Sequence, residues 1–166
     1  MCLYRGVDAT GKGDARVLMT ESPFMPAAIA QAKDAAAVGE VPVGCVIVRA
    51  GTIIARARNR TLADHDPTAH AEMLAIRAAA AALGSERLID CDLYVTLEPC
   101  TMCAAAISFA RIRRLYYGAV DPKGGAVESG ARFFSAPTCH HRPEVYGGIA
   151  EAEAGELLKE FFKARR

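Results

Sequence analysis

Apolar residues recur along this chain in two rhythms, one helical and one extended, which alternate from about residue 22 onward. "SPFMPAAIAQAKDAAAVG" offers Ser22 as a capping residue, Pro23 in a first turn and Gly39 as the close of a helix. "VGCVIVRAGTIIARARN" follows, two β-branched runs around Ala50-Gly51 that predict a hairpin. Its second half alternates, with Arg56 and Arg58 turned away from Ala55 and Ala57. A polar loop, "RTLADHDPT", leads to "AHAEMLAIRAAAAALG", a helix stopped by Gly84. "DLYVTLE" reads as a strand, "CTMCAAAISFARI" as a helix and "RRLYYGAV" as a further strand. A glycine-rich loop follows Asp121. After it come a short strand, "EVYGGI", and a closing helix, "EAEAGELLKEFFKARR", acidic early and basic late as its dipole favours. The order αββαβαβ(β)α predicts an α/β layered fold with helices packed on a mixed sheet.

Residues 22–166 thus read as one domain, with no internal repeat or low-complexity linker. Residues 1–21 have mixed composition, several glycines and no periodicity, and are expected to form a loosely ordered extension. Within it "GVDATGK", Gly6 to Lys12, fits a phosphate-binding G-x-x-x-x-G-K. Gly13, however, stands where Ser or Thr would hold magnesium, and no strand precedes the motif, so no nucleotide cofactor is expected. Met19 would serve equally well as a start of the folded part.

An apolar content of 52% and a charged content of 23% suit an ordinary soluble globular domain. No apolar run approaches the ~20 residues of a membrane span. "MCLYRGVDATGKGD" lacks the apolar core of a secretory signal, so a cytoplasmic protein is expected. The net charge of +1 says little, since partners feel patches. Two clusters are basic: Arg111, Arg113 and Arg114, and the tail Lys159, Lys163, Arg165 and Arg166. Either can be a solvated face or a nucleic-acid contact. Six cysteines do not make a disulfide framework here. Cys45 and Cys91 sit in or beside apolar runs as small buried hydrophobes, Cys2 lies in the extension and Cys139 in a loop. Cys100 and Cys103 are left.

These two follow Pro99 on the first turn of a helix, where free N–H groups and the dipole favour thiolates, and their spacing puts both sulfurs on one face. A redox pair fits that much. Thirty residues upstream, "TAHAE" puts His70 and Glu72 at the mouth of the other helix. One imidazole and two thiolates are one short of tetrahedral closure, as in a catalytic zinc site that keeps a position for water. A structural zinc would want a fourth ligand, and His65, His140, His141 and Cys139 all fall in loops without a partner pair. Zinc lowers the pKa of bound water to near 7, and a carboxylate at Glu72 can take that proton and pass it to a leaving amine. A redox module would give Glu72 nothing to do. His-x-Glu with Pro-Cys-x-x-Cys matches the signature of the zinc deaminases.

Beyond the signature, "GEVPVGCVIV", "GTIIARARNRT", "HDPTAHAEMLAIR", "LIDCDLYVTLEPCTMCAAAI", "ARIRRLYYGAVDPKGGA" and "LLKEFFKARR" resemble the bacterial tRNA-specific adenosine deaminases, over roughly residues 22–166. The resemblance implies a cytidine-deaminase-like three-layer α/β fold, a mixed five-stranded sheet with helices on both faces, working as a homodimer with one zinc per subunit. It implies conversion of the first anticodon (wobble) adenosine of an arginine tRNA to inosine. On it, His70, Cys100 and Cys103 are zinc ligands and Glu72 is the proton shuttle. Asn59 hydrogen-bonds the flipped base, its plainer reading being a turn residue, and the backbone of Ala71 is a further base contact. Asp121, Lys123, His141 and Arg142 match loops that meet the anticodon stem-loop; Phe161, Phe162 and Arg166 match a tail that folds over the RNA. Those residue types suit single-stranded RNA, though one of the two phenylalanines is expected to pack on the core instead. His65 is read as ordering its loop. Two positions depart from the family pattern: Ala105 where glycine is common, and "GGAVESG" where "GAAGS"-like sequence is usual. The rival within the same chemistry is a deaminase of a free base or nucleoside, of guanine or cytosine type.

Overall fold

The computed structural model describes residues 22–165. The expected extension over 1–21, with Gly6 to Lys12, and the expected RNA contact Arg166 lie outside the described residues. Helix α1, Met25–Ala37, begins three residues beyond Ser22. Pro26 has no N–H to give and so belongs in a first turn, which pins the start there rather than at Pro23. The Ser22 hydroxyl accepts the Phe24 N–H at 3.3 Å, in the turn before the helix. Met25, Ala28, Ile29, Ala32 and Ala35, three and four apart, form the buried stripe of α1.

Strands β1, Gly44–Arg49, and β2, Thr52–Arg58, make the predicted hairpin. Ala50 and Gly51 both have positive φ, 49° and 76°, the two-residue turn whose twist matches the flanking strands. Ala55 and Ala57 are buried and Arg56 is exposed, as the alternation predicts. β1 also pairs antiparallel with β3, Cys91–Leu97, while β3 and β4, Arg114–Ala119, are parallel. The last strand, β5, is shorter than predicted: only Glu144–Tyr146 pairs, parallel to β4. The sheet order is β2-β1-β3-β4-β5.

Helices α2, Ala71–Leu83, and α3, Thr101–Phe109, cover one face of this mixed sheet. Their alanines and Ile107 pack with Ile47, Leu93, Val95, Leu115 and Tyr117. Helix α4, Glu151–Lys163, joins α1 on the other face over Val46, Val48, Tyr94 and Ala119. Lys33 of α1 reaches Glu153 of α4 at 2.9 Å. The result is the three-layer arrangement expected from the resemblance.

The α1 face closes tightly at Gly44. A Cβ built there would lie 2.0 Å from the Ala28 carbonyl oxygen and 2.5 Å from the Ala32 nitrogen, so only glycine lets α1 approach β1. Gly44→Ala should therefore lower stability by about 1–3 kcal/mol or more. Urea titration should show an earlier midpoint with an unchanged slope; an unmoved midpoint would mean that α1 shifts freely.

Candidate active site

The ends of two helices meet where β3 gives way to Pro99 and Cys100. His70 is the N-cap residue of α2 and Cys100 that of α3, both with extended backbone, and Cys103 follows in the first turn of α3. Both helices thus aim free N–H groups and the positive ends of their dipoles at one spot. His70 Nδ1 lies 3.7 Å from Cys100 Sγ and 3.6 Å from Cys103 Sγ. The three ligand atoms lie within 4.8 Å of one another, and among the described residues no fourth His, Cys, Asp or Glu joins them. A tetrahedral ion with bonds of about 2.3 Å to sulfur and 2.0 Å to nitrogen separates such ligands by about 3.6 Å. The donor set and its spacing fit zinc. The protons divide unevenly: a hydrogen bond from Cys103 and the nearby His70 hold the Cys100 thiol down at about 4. Its thiolate neighbour, burial and Glu72 push Cys103 up. A cation bound here takes the place of the shared proton.

Glu72 is the second residue of α2, in its first turn, buried to 4% exposure. Burial pushes its carboxyl up to about 7, against the pull of a backbone hydrogen bond and of His70. It shares a cavity of about 280 Å³ with His70, Cys100, Asn59, Val43 and Leu97. That is just below the usual range of small-molecule pockets, about 300–1,000 Å³, and suits one base rather than a whole nucleotide. Asn59 is buried, and its Oδ1 accepts the Ala71 N–H at 2.9 Å. These two expected base contacts are thereby locked to each other, and Asn59 is more than a turn residue: it takes up a free N–H of the first turn of α2 and fixes the segment between His70 and Glu72.

Sequence reading missed two buried acids that hold the loops around the cavity. Glu40, 1% exposed, accepts the N–H groups of Leu62 and Ala63 at 2.9 and 2.8 Å and the Thr61 hydroxyl, holding the loop that follows Asn59. With Asp66, which accepts both the N–H and the hydroxyl of Thr68 at 2.7 Å, it orders that loop. His65, the residue singled out for that work, is exposed with φ 49°. Glu98, 2% exposed, lines the cavity and gathers the loop after β4. An acid buried by backbone donors carries no sequence mark that separates it from a solvated one.

The expected RNA contacts fall in different places. Asp121 lines the cavity, and its Oδ1 accepts the N–H groups of Lys123 and Gly124 at 3.1 and 3.0 Å, shaping its own turn. Lys123 and Phe162 lie together in a neighbouring groove with Pro122, Leu158, Lys159 and Lys163. Phe162 is 49% exposed, whereas Phe161 is buried beneath the Arg165 guanidinium, 3.5 Å from the ring centre. His141 and Arg142 line neither space. The His141 ring donates from Nε2 to the Ile112 carbonyl at 2.6 Å, beside the start of β4 and away from the cavity. Arg142 reaches the Ala136 carbonyl at 3.3 Å. The basic run 111–114 is at that same far end and largely paired: Arg113 forks onto both Asp92 oxygens at 2.9 Å, and Arg114 meets Glu144 at 3.1 Å.

A family model described as the cytidine and deoxycytidylate deaminase zinc-binding region matches residues 19–119. A tRNA-specific adenosine deaminase of Agrobacterium fabrum is 64% identical over 143 residues, spanning 86% of this chain and 94% of that protein. A solved structure from studies of A-to-I editing by tRNA:A34 deaminases at the wobble position aligns with a TM-score of 0.80. It is 66% identical and covers 81% of this chain and 98% of its own. A guanine deaminase from Bacillus subtilis aligns with a TM-score of 0.59 at 35% identity, covering 86% and 91%.

Proposed function

This chain belongs to the cytidine and deoxycytidylate deaminase family, and from that footing we propose that it deaminates the first anticodon adenosine of an arginine tRNA to inosine. The observation that carries the RNA part is an adjacency. The loop from Asp121 to Gly124 is shared by the base-sized cavity and by the groove of Lys123, Lys159, Lys163 and Phe162. An extruded base suits the first, and the phosphates and a stacked neighbour suit the second.

His70, Cys100 and Cys103 hold zinc in this reading, one ion per subunit, and its chemistry is to make a water ionisable near neutral pH. Glu72 takes the proton of the attacking water on its carboxylate and returns it to the amine as ammonia leaves C6 of adenine. Asn59 and the Ala71 backbone orient the base. Val43 and Leu97 wall the cavity on its apolar side. His141, Arg142 and Arg166 would meet the RNA beyond the cavity. A homodimer in the cytoplasm is the expected working form, and the exposed Leu62 and Phe109, at 65% and 70%, are surface of the kind a second copy covers.

Inosine formation on an arginine-tRNA anticodon stem-loop, beside free adenosine, guanine and cytosine, tests the substrate. Inosine in the stem-loop alone is the expected result. Ammonia from free guanine, with the stem-loop unchanged, would favour the activity of the Bacillus subtilis relative instead.

A further inference from the structure

Glu98 has no part in the chemistry above, yet few side chains in the cavity wall are so thoroughly bound. Its carboxylate accepts five donors from the loop after β4: the N–H groups of Asp121, Val127, Glu128 and Ser129 and the Ser129 hydroxyl, at 2.8–3.2 Å. Among the described residues no Lys, Arg or His pairs with it. A buried charge balanced wholly by N–H and O–H dipoles demands that every donor stay in place. Gly125 fits over it because it has no side chain: a Cβ there would lie 2.5 Å from the Glu98 carboxyl carbon. The same loop is stitched to the metal-ligand segment, with Gly125 bridged to Cys100 and the Ala126 N–H on the Pro99 carbonyl at 2.9 Å.

The loop so held has two working faces. Asp121 and Gly124 line the base cavity, and Pro122 and Lys123 line the groove. We propose that Glu98 is a positioning residue for RNA: it holds the 121–129 loop in the one shape that closes the cavity and presents Lys123 to a phosphate beside the extruded base. The role rests on the tRNA reading above. It acts on substrate affinity through Asp121 and Lys123, and leaves the ligands and Glu72 where they are.

Glu98→Gln keeps the size of the side chain but turns an NH₂ group toward donors. The expected result is a wild-type zinc content, with amide exchange of residues 121–129 accelerated and that of β1 and β3 unchanged. KM for the anticodon stem-loop should rise by about tenfold or more, the scale of lost hydrogen bonds to a charged group, with kcat within about threefold. Ser129→Ala, which removes one of the five donors and leaves the Gly125–Cys100 bridge alone, should give a weaker form of the same signature and decides the matter if the glutamine variant does not fold. Unchanged loop exchange and KM would overturn the proposal. So would loss of zinc in both variants, which would make Glu98 a support of Cys100 instead. Exchange needs no substrate: a wild type that makes no inosine would sink the tRNA reading, while the exchange data would still decide whether Glu98 holds the loop.

Discussion

Glu72→Gln should lower kcat for inosine formation by about 10²–10⁴-fold, the usual contribution of a positioned proton-transfer group. Zinc content should stay that of the wild type, because glutamine removes a proton carrier and no ligand. A rate within about threefold of wild type would take Glu72 out of the reaction. The same substitution should have an opposite effect on the protein stripped of metal by a chelator. Burial raises the Glu72 carboxyl from 4.5 to about 7, so the folded protein holds a proton there that the unfolded chain releases. That contribution is fully present below pH 4.5 and is lost as pH rises through 7. The metal-free wild type should therefore lose stability across this range relative to Glu72→Gln, whose neutral amide has no such slope. Thermal melts of both at pH 5 and pH 8 read the difference; parallel melting temperatures would mean that Glu72 is solvated in the metal-free protein. The cavity keeps an acid that is costly to bury, which is how active sites commonly trade stability for rate.

Cys103→Ala should be as damaging by a different route. Cys103 is fully buried in the first turn of α3, and alanine is a better helix former, so the helix persists. What goes is one of the three residues proposed to hold zinc. Metal analysis should find the variant without zinc. Activity should fall by more than the 10–100-fold typical of changes in the outer shell of a metal site. Zinc added back to chelated wild type should restore activity and raise the melting temperature, since a ligand of the folded state alone stabilises it. The variant should respond to neither. Full activity without bound metal would remove the metal from the mechanism.

Helix ends and hairpin turns were legible because their signals are local. Gly84 closes α2 with φ 61°, and Ala50-Gly51 turns β1 into β2. The meeting of His70 and Cys100 was legible, because short spacings place them at two predicted helix starts whose dipoles converge. The start of α1 went to the wrong proline, since Pro23 and Pro26 both satisfy a first-turn rule and only packing of Met25 and Ile29 chooses between them. Arg113 and Arg114 looked like a basic patch because their partners, Asp92 and Glu144, are 21 and 30 residues away. Glu40 and Glu98 were illegible for the same reason in reverse: loops distant in sequence supply their donors. The departure "GGAVESG" is absorbed locally, with Glu128 accepting from the Tyr117 hydroxyl and Ser129 donating to Glu98.

The placement of α1 and α4 on one face also sets an order of assembly during synthesis, when chains emerge from the N-terminal end. The face of α2 and α3 draws its buried partners from β1 to β4 and from Val127 and Phe134 beyond them, so it can close once Phe134 has emerged. The face of α1 cannot: it waits for Ala154 and the rest of α4. A nascent chain therefore completes the half that carries His70, Cys100 and Cys103 first and leaves α1 half-covered until the last helix arrives. A chain cut short before residue 150 would carry His70, Cys100 and Cys103 on a domain with an open apolar flank, a species more exposed to chaperones and proteases than to substrate.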